Sequence, residues 1–283
     1  MEYTTLGRTG LNVSVAGLGC GGNSKIGQGA GQSTADSVAL IRRAMDLGVN
    51  FFDTARGYGT EGVLGEAISN VPRDSVVVSS KHHAGGVSAE QISAAIDTSL
   101  RELRTDYVDV YHLHGVHPDT YDHARDVLAP ALLRAQEQGK IRFLGITETS
   151  PHDHDQIMLG RAVQDDYWDV RNLFSKPGLL HATMKELAAD GRVPDALADQ
   201  AEPLGFLVHD GGAESVIDAA YRYARHEPGA DVVLFGTGNP AHLEANIASI
   251  LRPPLPAADT ARLAELFGHL RGVGLDLPGP VKG

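Results

Sequence analysis

FFDTARGYG, residues 51–59, is the stretch that decides how the chain folds. An apolar run enters it, and the carboxylate of Asp53 stands where that run breaks into a Gly-rich turn carrying Tyr58. The same event recurs downstream, where VVVSSK (76–81) ends on Lys81 and YVDVYHLH (107–114) ends on His114. All four polar residues fall where a strand runs out into a loop, so a parallel barrel brings them to one rim. Catalytic groups of eight-stranded α/β barrels gather on that C-terminal rim. A phenol, an ammonium, a carboxylate and an imidazole together suggest proton transfer coupled to another reaction. Tyrosine titrates near about 10 in water, and a neighbouring cation favours its phenolate and lowers that value. Lys81 can supply the cation, Asp53 can hold the lysine charged and oriented, and His114 can hydrogen-bond a substrate oxygen.

Outward from this stretch the chain alternates. TLGRTGLNVS (5–14) reads as a hairpin, VSVAGLG (13–19) as a first strand, and GCGGNSKIGQGAGQ (19–32) as a loop with several positions of positive φ. Residues 33–48 open on Ser33 and Asp36 and place Val38, Ile41 and Met45 at helical spacing. Ser88 and Gln91 form a second capping box before a helix that carries Ile92, Ile96, Leu100 and Leu103 on one face. A helix over 124–139 leads into IRFLGITE (141–148). This alternation implies an α/β fold with a parallel sheet and right-handed crossovers, and the length suits a single (β/α)8 barrel domain over residues 1–283 preceded by the N-terminal β-hairpin.

DTARGYG followed by EGVLG, the strand-end lysine and the Y-x-L-H strand strongly resembles the aldo-keto reductases, in spacing and in order. The resemblance implies a TIM barrel that binds a nicotinamide cofactor without a Rossmann domain and interconverts a carbonyl and an alcohol. It implies Tyr58 as general acid/base, Lys81 as the partner that lowers its pKa, Asp53 as the partner of Lys81, and His114 as the residue that orients the carbonyl. Gly19, Gly21 and Gly22 would lie beside the cofactor, and Thr147 would contact the nicotinamide carboxamide. FGTGNPAHLEANIASI (235–250) matches the family's last strand, loop and helix, which implies that Gly236, Thr237, Gly238, Asn239, His242 and Asn246 hold the adenosine end. Family habit leans towards NADP(H); NAD(H) stays open, because residues 236–246 contain no Arg or Lys for a 2′-phosphate.

The pattern weakens after Asp169. DYWDV (166–170) looks like the start of the family's sixth strand and RNLFSKPG (171–178) like the segment just after its seventh. About one βα unit, roughly 30 residues, is then missing or rearranged around strands six and seven. VRNLF (170–174) and LGFLVHD (204–210) are the segments available to replace a strand, although the resemblance places LGFLVHD in a loop before the last helix.

With 24 Lys and Arg against 36 Asp and Glu, the net charge of −12 argues against a nucleic-acid or anionic-membrane surface. The partner expected instead is a small carbonyl or alcohol substrate. A single cysteine, Cys20, excludes an internal disulfide and fits a reducing compartment. The N-terminal stretch lacks the pattern of a secretory signal, and no apolar run reaches spanning length, so a cytoplasmic protein is expected. The 13 histidines, with His112 and His114 on one strand face and His82, His83 and His117 near the rim, support a rival reading as a metal-dependent hydrolase. No metal motif of known spacing accompanies them, and no metal ligand is assigned. A non-catalytic nicotinamide-binding barrel is the second rival.

Overall fold

Residues 1–147 and 177–270 are described in a computed structural model of the chain. DYWDV, VRNLF, residues 171–176 of RNLFSKPG and the last residue of IRFLGITE lie outside the described residues. The chain divides into two compact units, one of residues 1–149 with 229–251 and one of residues 150–228 with 252–283.

In the first unit β1 (Tyr3–Thr5) and β2 (Asn12–Ser14) form an antiparallel hairpin. Six further strands make one parallel sheet: β3 (Ala16–Gly19), β4 (Phe51–Asp53), β5 (Val77–His83), β6 (Val108–His114), β7 (Ile141–Ile146) and β8 (Val233–Phe235), in the order β7-β6-β5-β4-β3-β8. Between them run α1 (Thr34–Asp46), α2 (Glu61–Ile68), α3 (Ala89–Leu103) and α4 (Ala129–Glu137). Both capping boxes form: Ser33 accepts from Asp36 N and Ser88 from Gln91 N, each with the return bond. Each box satisfies two N–H groups that the first turn of a helix leaves without partners.

The first barrel strand begins later than VSVAGLG suggests, because Val13 and Ser14 belong to the hairpin. Ser14 Oγ donates to Ala16 O (2.7 Å) and receives Asn50 N–H (3.0 Å), which turns the chain between the two strands.

Period-two alternation sorts the strand side chains. Phe51, Val77 and Val110 share one face and pack with Leu11 and Val13 of the hairpin, with Leu6 and Phe143 against them. The hairpin therefore plugs the N-terminal end. Two residues further along each strand the same face carries Asp53, Ser79 and His112, and two residues beyond Ser79 and His112 it carries Lys81 and His114, Lys81 being in register with His112. The opposite face buries Phe52, Val78, Tyr111 and Leu113. One face of the sheet thus passes from apolar to polar to charged as the strands run towards their C-terminal ends.

The second unit is helical among its described residues: α5 (Pro177–Ala189), α6 (Asp195–Ala198), α7 (Val216–His226) and, after the first unit's α8 (Pro240–Ile250), α9 (Ala257–Phe267). LGFLVHD supplies no replacement strand. It forms a one-turn helix at Gly205–Leu207 and a lone bridge from Val208 to Ala213. Leu204 and Leu207, three apart as on a helix, are both buried in this unit's core with Met184, Leu197 and Phe267. No described helix is long and apolar enough to cross a membrane.

Candidate active site

At the end of β4, Asp53 faces Lys81 of β5. Lys81 Nζ lies 2.6 Å from Oδ1 and 2.5 Å from Oδ2 of Asp53, and the two side chains are 5% and 13% exposed. A pair this buried costs desolvation energy that its attraction repays only with good geometry and further hydrogen bonds. Ser79 supplies one, its Oγ donating to Asp53 Oδ1 at 2.7 Å. Breaking such a pair by removing one partner costs about 3–5 kcal/mol.

Tyr58 sits on a short helical turn, Arg56–Tyr58, between β4 and α2. The Lys81 ammonium is 5.5 Å from the Tyr58 ring centroid, and Tyr58 Oη is 3.4 Å from His114 Nε2. Tyr58 and His114 meet edge to face, with ring centroids 6.0 Å apart. The four residues assigned from the sequence are therefore brought together. Burial, followed by the nearby Lys81, holds the His114 imidazole below its usual range, so it is neutral at neutral pH.

Several residues of this site were missed in the sequence. Glu61, 2% exposed, accepts Ser80 Oγ–H (2.6 Å) and pairs with Arg56 (3.0 Å). It thereby ties the turn carrying Tyr58 to the strand position preceding Lys81. The Thr54 and Thr60 hydroxyls, 3.0 Å apart, close the same turn from below. His112, named from the sequence only as a metal ligand in the rival reading, is in register with Lys81, its Nδ1 3.4 Å from Ser79 Oγ, and its pKa is pulled down to about 4 by burial and by Lys81. Gly145 makes room for that ring, since a Cβ there would stand 2.5 Å from His112 Cδ2. The EGVLG pattern did contain the signal for Glu61: a carboxylate at the first position of a helix, where the helix dipole favours negative charge.

The assigned glycines divide by what they touch. A Cβ on Gly21 would lie 2.3 Å from the Tyr58 ring, so this glycine seats the tyrosine. Gly22 has φ +64° and open space beside it. A Cβ on Gly19 would meet Phe235 O at 3.5 Å, and one on Gly236 would meet Ser24 Oγ at 3.4 Å. Gly238 lies so close to the Gly-rich loop that a Cβ would stand 2.3 Å from Gly27 Cα. Thr237 Oγ1 accepts Asn239 N–H (3.0 Å), and Asn239 caps α8 by accepting from Ala241 N (2.8 Å). His242 is exposed and Asn246 half-buried, one turn apart on α8. Thr147 lies against His114, with Oγ1 2.6 Å from Nδ1. These donors fit a phosphate-bearing dinucleotide: a Gly-rich turn opening a helix, the Ser24 and Thr237 hydroxyls, and two polar side chains on one helix face.

Cys20 is fully buried, and burial pushes its thiol well above the usual range, so it is a core residue with no reactive thiolate. Among the described residues no three of His, Cys, Asp and Glu converge as a metal cage requires.

Comparison with known proteins agrees with this arrangement. The family model described as Aldo/keto reductase family matches residues 17–167. The L-galactose dehydrogenase of Arabidopsis thaliana is 29% identical, the match covering 96% of this chain and 95% of that one. The aldo-keto reductase YhdN of Bacillus subtilis (strain 168) is 26% identical over 87% of each chain. In fold, the chain is similar to the aldo-keto reductase AKR11C1 from Bacillus halodurans in its holo form, with a TM-score of 0.68, 22% identity and coverage of 94% of this chain and 96% of that one. An α/β chain with a parallel sheet, this hairpin and this rim, matched by that model over more than half its length, belongs to the aldo/keto reductase family of oxidoreductases.

Proposed function

We propose that the chain is an NAD(P)(H)-dependent oxidoreductase that interconverts a carbonyl and an alcohol, with Tyr58 as general acid/base. The observation that carries this reading is the buried Lys81–Asp53 pair set 5.5 Å from the Tyr58 ring, with His114 Nε2 beside the phenol oxygen. In the reducing direction Tyr58 Oη gives its proton to the carbonyl oxygen, and in oxidation it takes the proton back. Lys81 favours the phenolate left behind, and Asp53 with Ser79 keeps Lys81 charged and aimed. His114, neutral, donates from a ring nitrogen to the carbonyl oxygen and orients it. The hydride would come from, or go to, a nicotinamide held against this rim. Gly22, Gly236, Thr237, Gly238, Asn239, His242 and Asn246 would hold its dinucleotide. NADP(H) is favoured by family habit. The substrate is an aldehyde, a ketone or the alcohol group of a sugar, the last supported by the name of the Arabidopsis relative.

The test is a screen of carbonyls and sugars that follows reduced-nicotinamide absorbance, repeated with Tyr58→Phe and Lys81→Met. Tyr58→Phe should abolish turnover and leave cofactor binding nearly intact, because it removes only the transferable proton. Lys81→Met should lower turnover by at least about 100-fold and shift the pH profile. Wild-type-like turnover by Tyr58→Phe would sink the reading.

A further inference from the structure

The Thr147 hydroxyl makes two contacts among the described residues. It accepts Gly115 N–H at 3.1 Å and lies 2.6 Å from His114 Nδ1. The backbone of Thr147 is fixed on both sides of the histidine strand end: its N–H donates to Leu113 O (2.9 Å) and its carbonyl accepts Val116 N–H (2.9 Å). A threonine hydroxyl has one hydrogen to give and two lone pairs, and Gly115 occupies one of those pairs. Suppose Nδ1 carried the imidazole hydrogen. It would fill the second lone pair and leave the hydroxyl hydrogen without an acceptor among the described residues. If the hydroxyl instead donates to a bare Nδ1, its hydrogen is used and the ring hydrogen sits on Nε2. Nε2 is the nitrogen that faces Tyr58 Oη at 3.4 Å. Burial and Lys81 keep the ring neutral, so the position of its single hydrogen decides whether it can donate there.

We propose that Thr147 is a positioning residue whose hydroxyl fixes His114 as the Nε2–H tautomer and so aims its donor at the carbonyl oxygen. The carbonyl in this statement rests on the function proposed above; the tautomer does not. The resemblance assigned Thr147 to the nicotinamide carboxamide, a contact that would act on cofactor affinity. The two roles therefore separate experimentally.

The experiment compares wild type, Thr147→Val and Thr147→Ser with reduced nicotinamide cofactor bound at neutral pH. Two-bond nitrogen-15 to proton correlations give the tautomer of His114, whose signals are assigned by their loss in His114→Gln. Wild type and Thr147→Ser should show a protonated Nε2 and a bare Nδ1. Thr147→Val should populate the Nδ1–H form and lose roughly 10- to 100-fold in kcat, with cofactor Kd within about twofold of wild type. Protonation of Nδ1 in wild type would overturn the proposal. So would an unchanged tautomer in Thr147→Val, including one accompanied by weakened cofactor binding, which would return the residue to the carboxamide. The expected tautomer shift in a protein that turns over no carbonyl would support Thr147 and defeat the proposed function instead.

Discussion

Strands β4 to β6 with the turn after β4, and the described residues of the helical unit, put their buried cations, Lys81 and Arg222, to different uses. In the strands, buried polar side chains pair mostly with one another: Asp53 with Lys81 and Ser79, and Glu61 with Ser80 and Arg56. In the helical unit, Arg222 is 6% exposed and serves the backbone, donating to the carbonyls of Gly212, Pro253 and Pro254 while lying 3.5 Å from Asp218. The first arrangement sets the position and charge of groups that can act on a substrate. The second replaces a strand ladder, supplying one donor fork to loop carbonyls that have no sheet to join.

The difference is sharpest at Arg222. Arg222→Met keeps the volume of the stem and removes the fork, leaving three carbonyls to find water and taking one cation from Asp218, which keeps Arg252 (3.2 Å) and the Glu214 N–H (3.1 Å). Unfolding free energy by urea titration should fall by about 3–5 kcal/mol. A loss below about 1 kcal/mol would mean that water already serves those carbonyls, and the contrast between the units would disappear.

His112 tests the strand region through pH. Its neighbours on the sheet face are Ser79, Lys81, Asp53 and His114, and its pKa is lowered from 6.5 to about 4. Above about pH 6.5 the ring is neutral in both folded and unfolded chains and contributes no pH dependence. As pH falls from there towards about 4, the unfolded chain takes up a proton that the folded chain refuses, so stability drops; below about 4 both are protonated and the loss levels off. The full loss is on the order of 3 kcal/mol. His112→Gln should remove this part of the acid sensitivity, read as the difference between the two proteins' stability curves across that window. Parallel curves would show that the ring is not held neutral.

How much could be read beforehand obeys the same division. Strand ends at Asp53 and His114 and caps at Ser33 and Ser88 are local events, written in a few consecutive residues; at Lys81 the expected strand end is wrong, because β5 runs on in register with β6 as far as His83. Ser79 was not legible as a member of the site, and His112 only as a metal-ligand candidate facing the same way as His114, because their role depends on register: Asp53 stands beside Ser79, and Lys81 beside His112. Glu61 and Thr147 act through partners 19 and 33 residues away in the chain, a separation that no window of local pattern spans. LGFLVHD is apolar enough for a strand, and only the tertiary core that takes Leu204 and Leu207 makes it a turn. The shortening expected near Val170 falls outside the described residues.

The smallest expected effect lies in residues 236–246 of the first unit, the segment proposed to hold the dinucleotide and to choose between NADP(H) and NAD(H). His242 is exposed on the first turn of α8, and no lysine or arginine lies between Gly236 and Asn246. Arg43, on α1, is already paired with Glu244 at 2.7 Å. His242→Arg places a planar guanidinium where a 2′-phosphate can be met by two parallel hydrogen bonds. It should tighten NADPH relative to NADH by about tenfold, or roughly 1.4 kcal/mol, with little change in melting temperature because the position is solvated. Titrating both reduced cofactors by fluorescence measures the ratio directly. Equal shifts for the two would remove His242 from the 2′-phosphate and return the choice of cofactor to the Gly-rich loop, where the exposed Lys25 is the nearest cation in sequence to Ser24, the neighbour of Gly236.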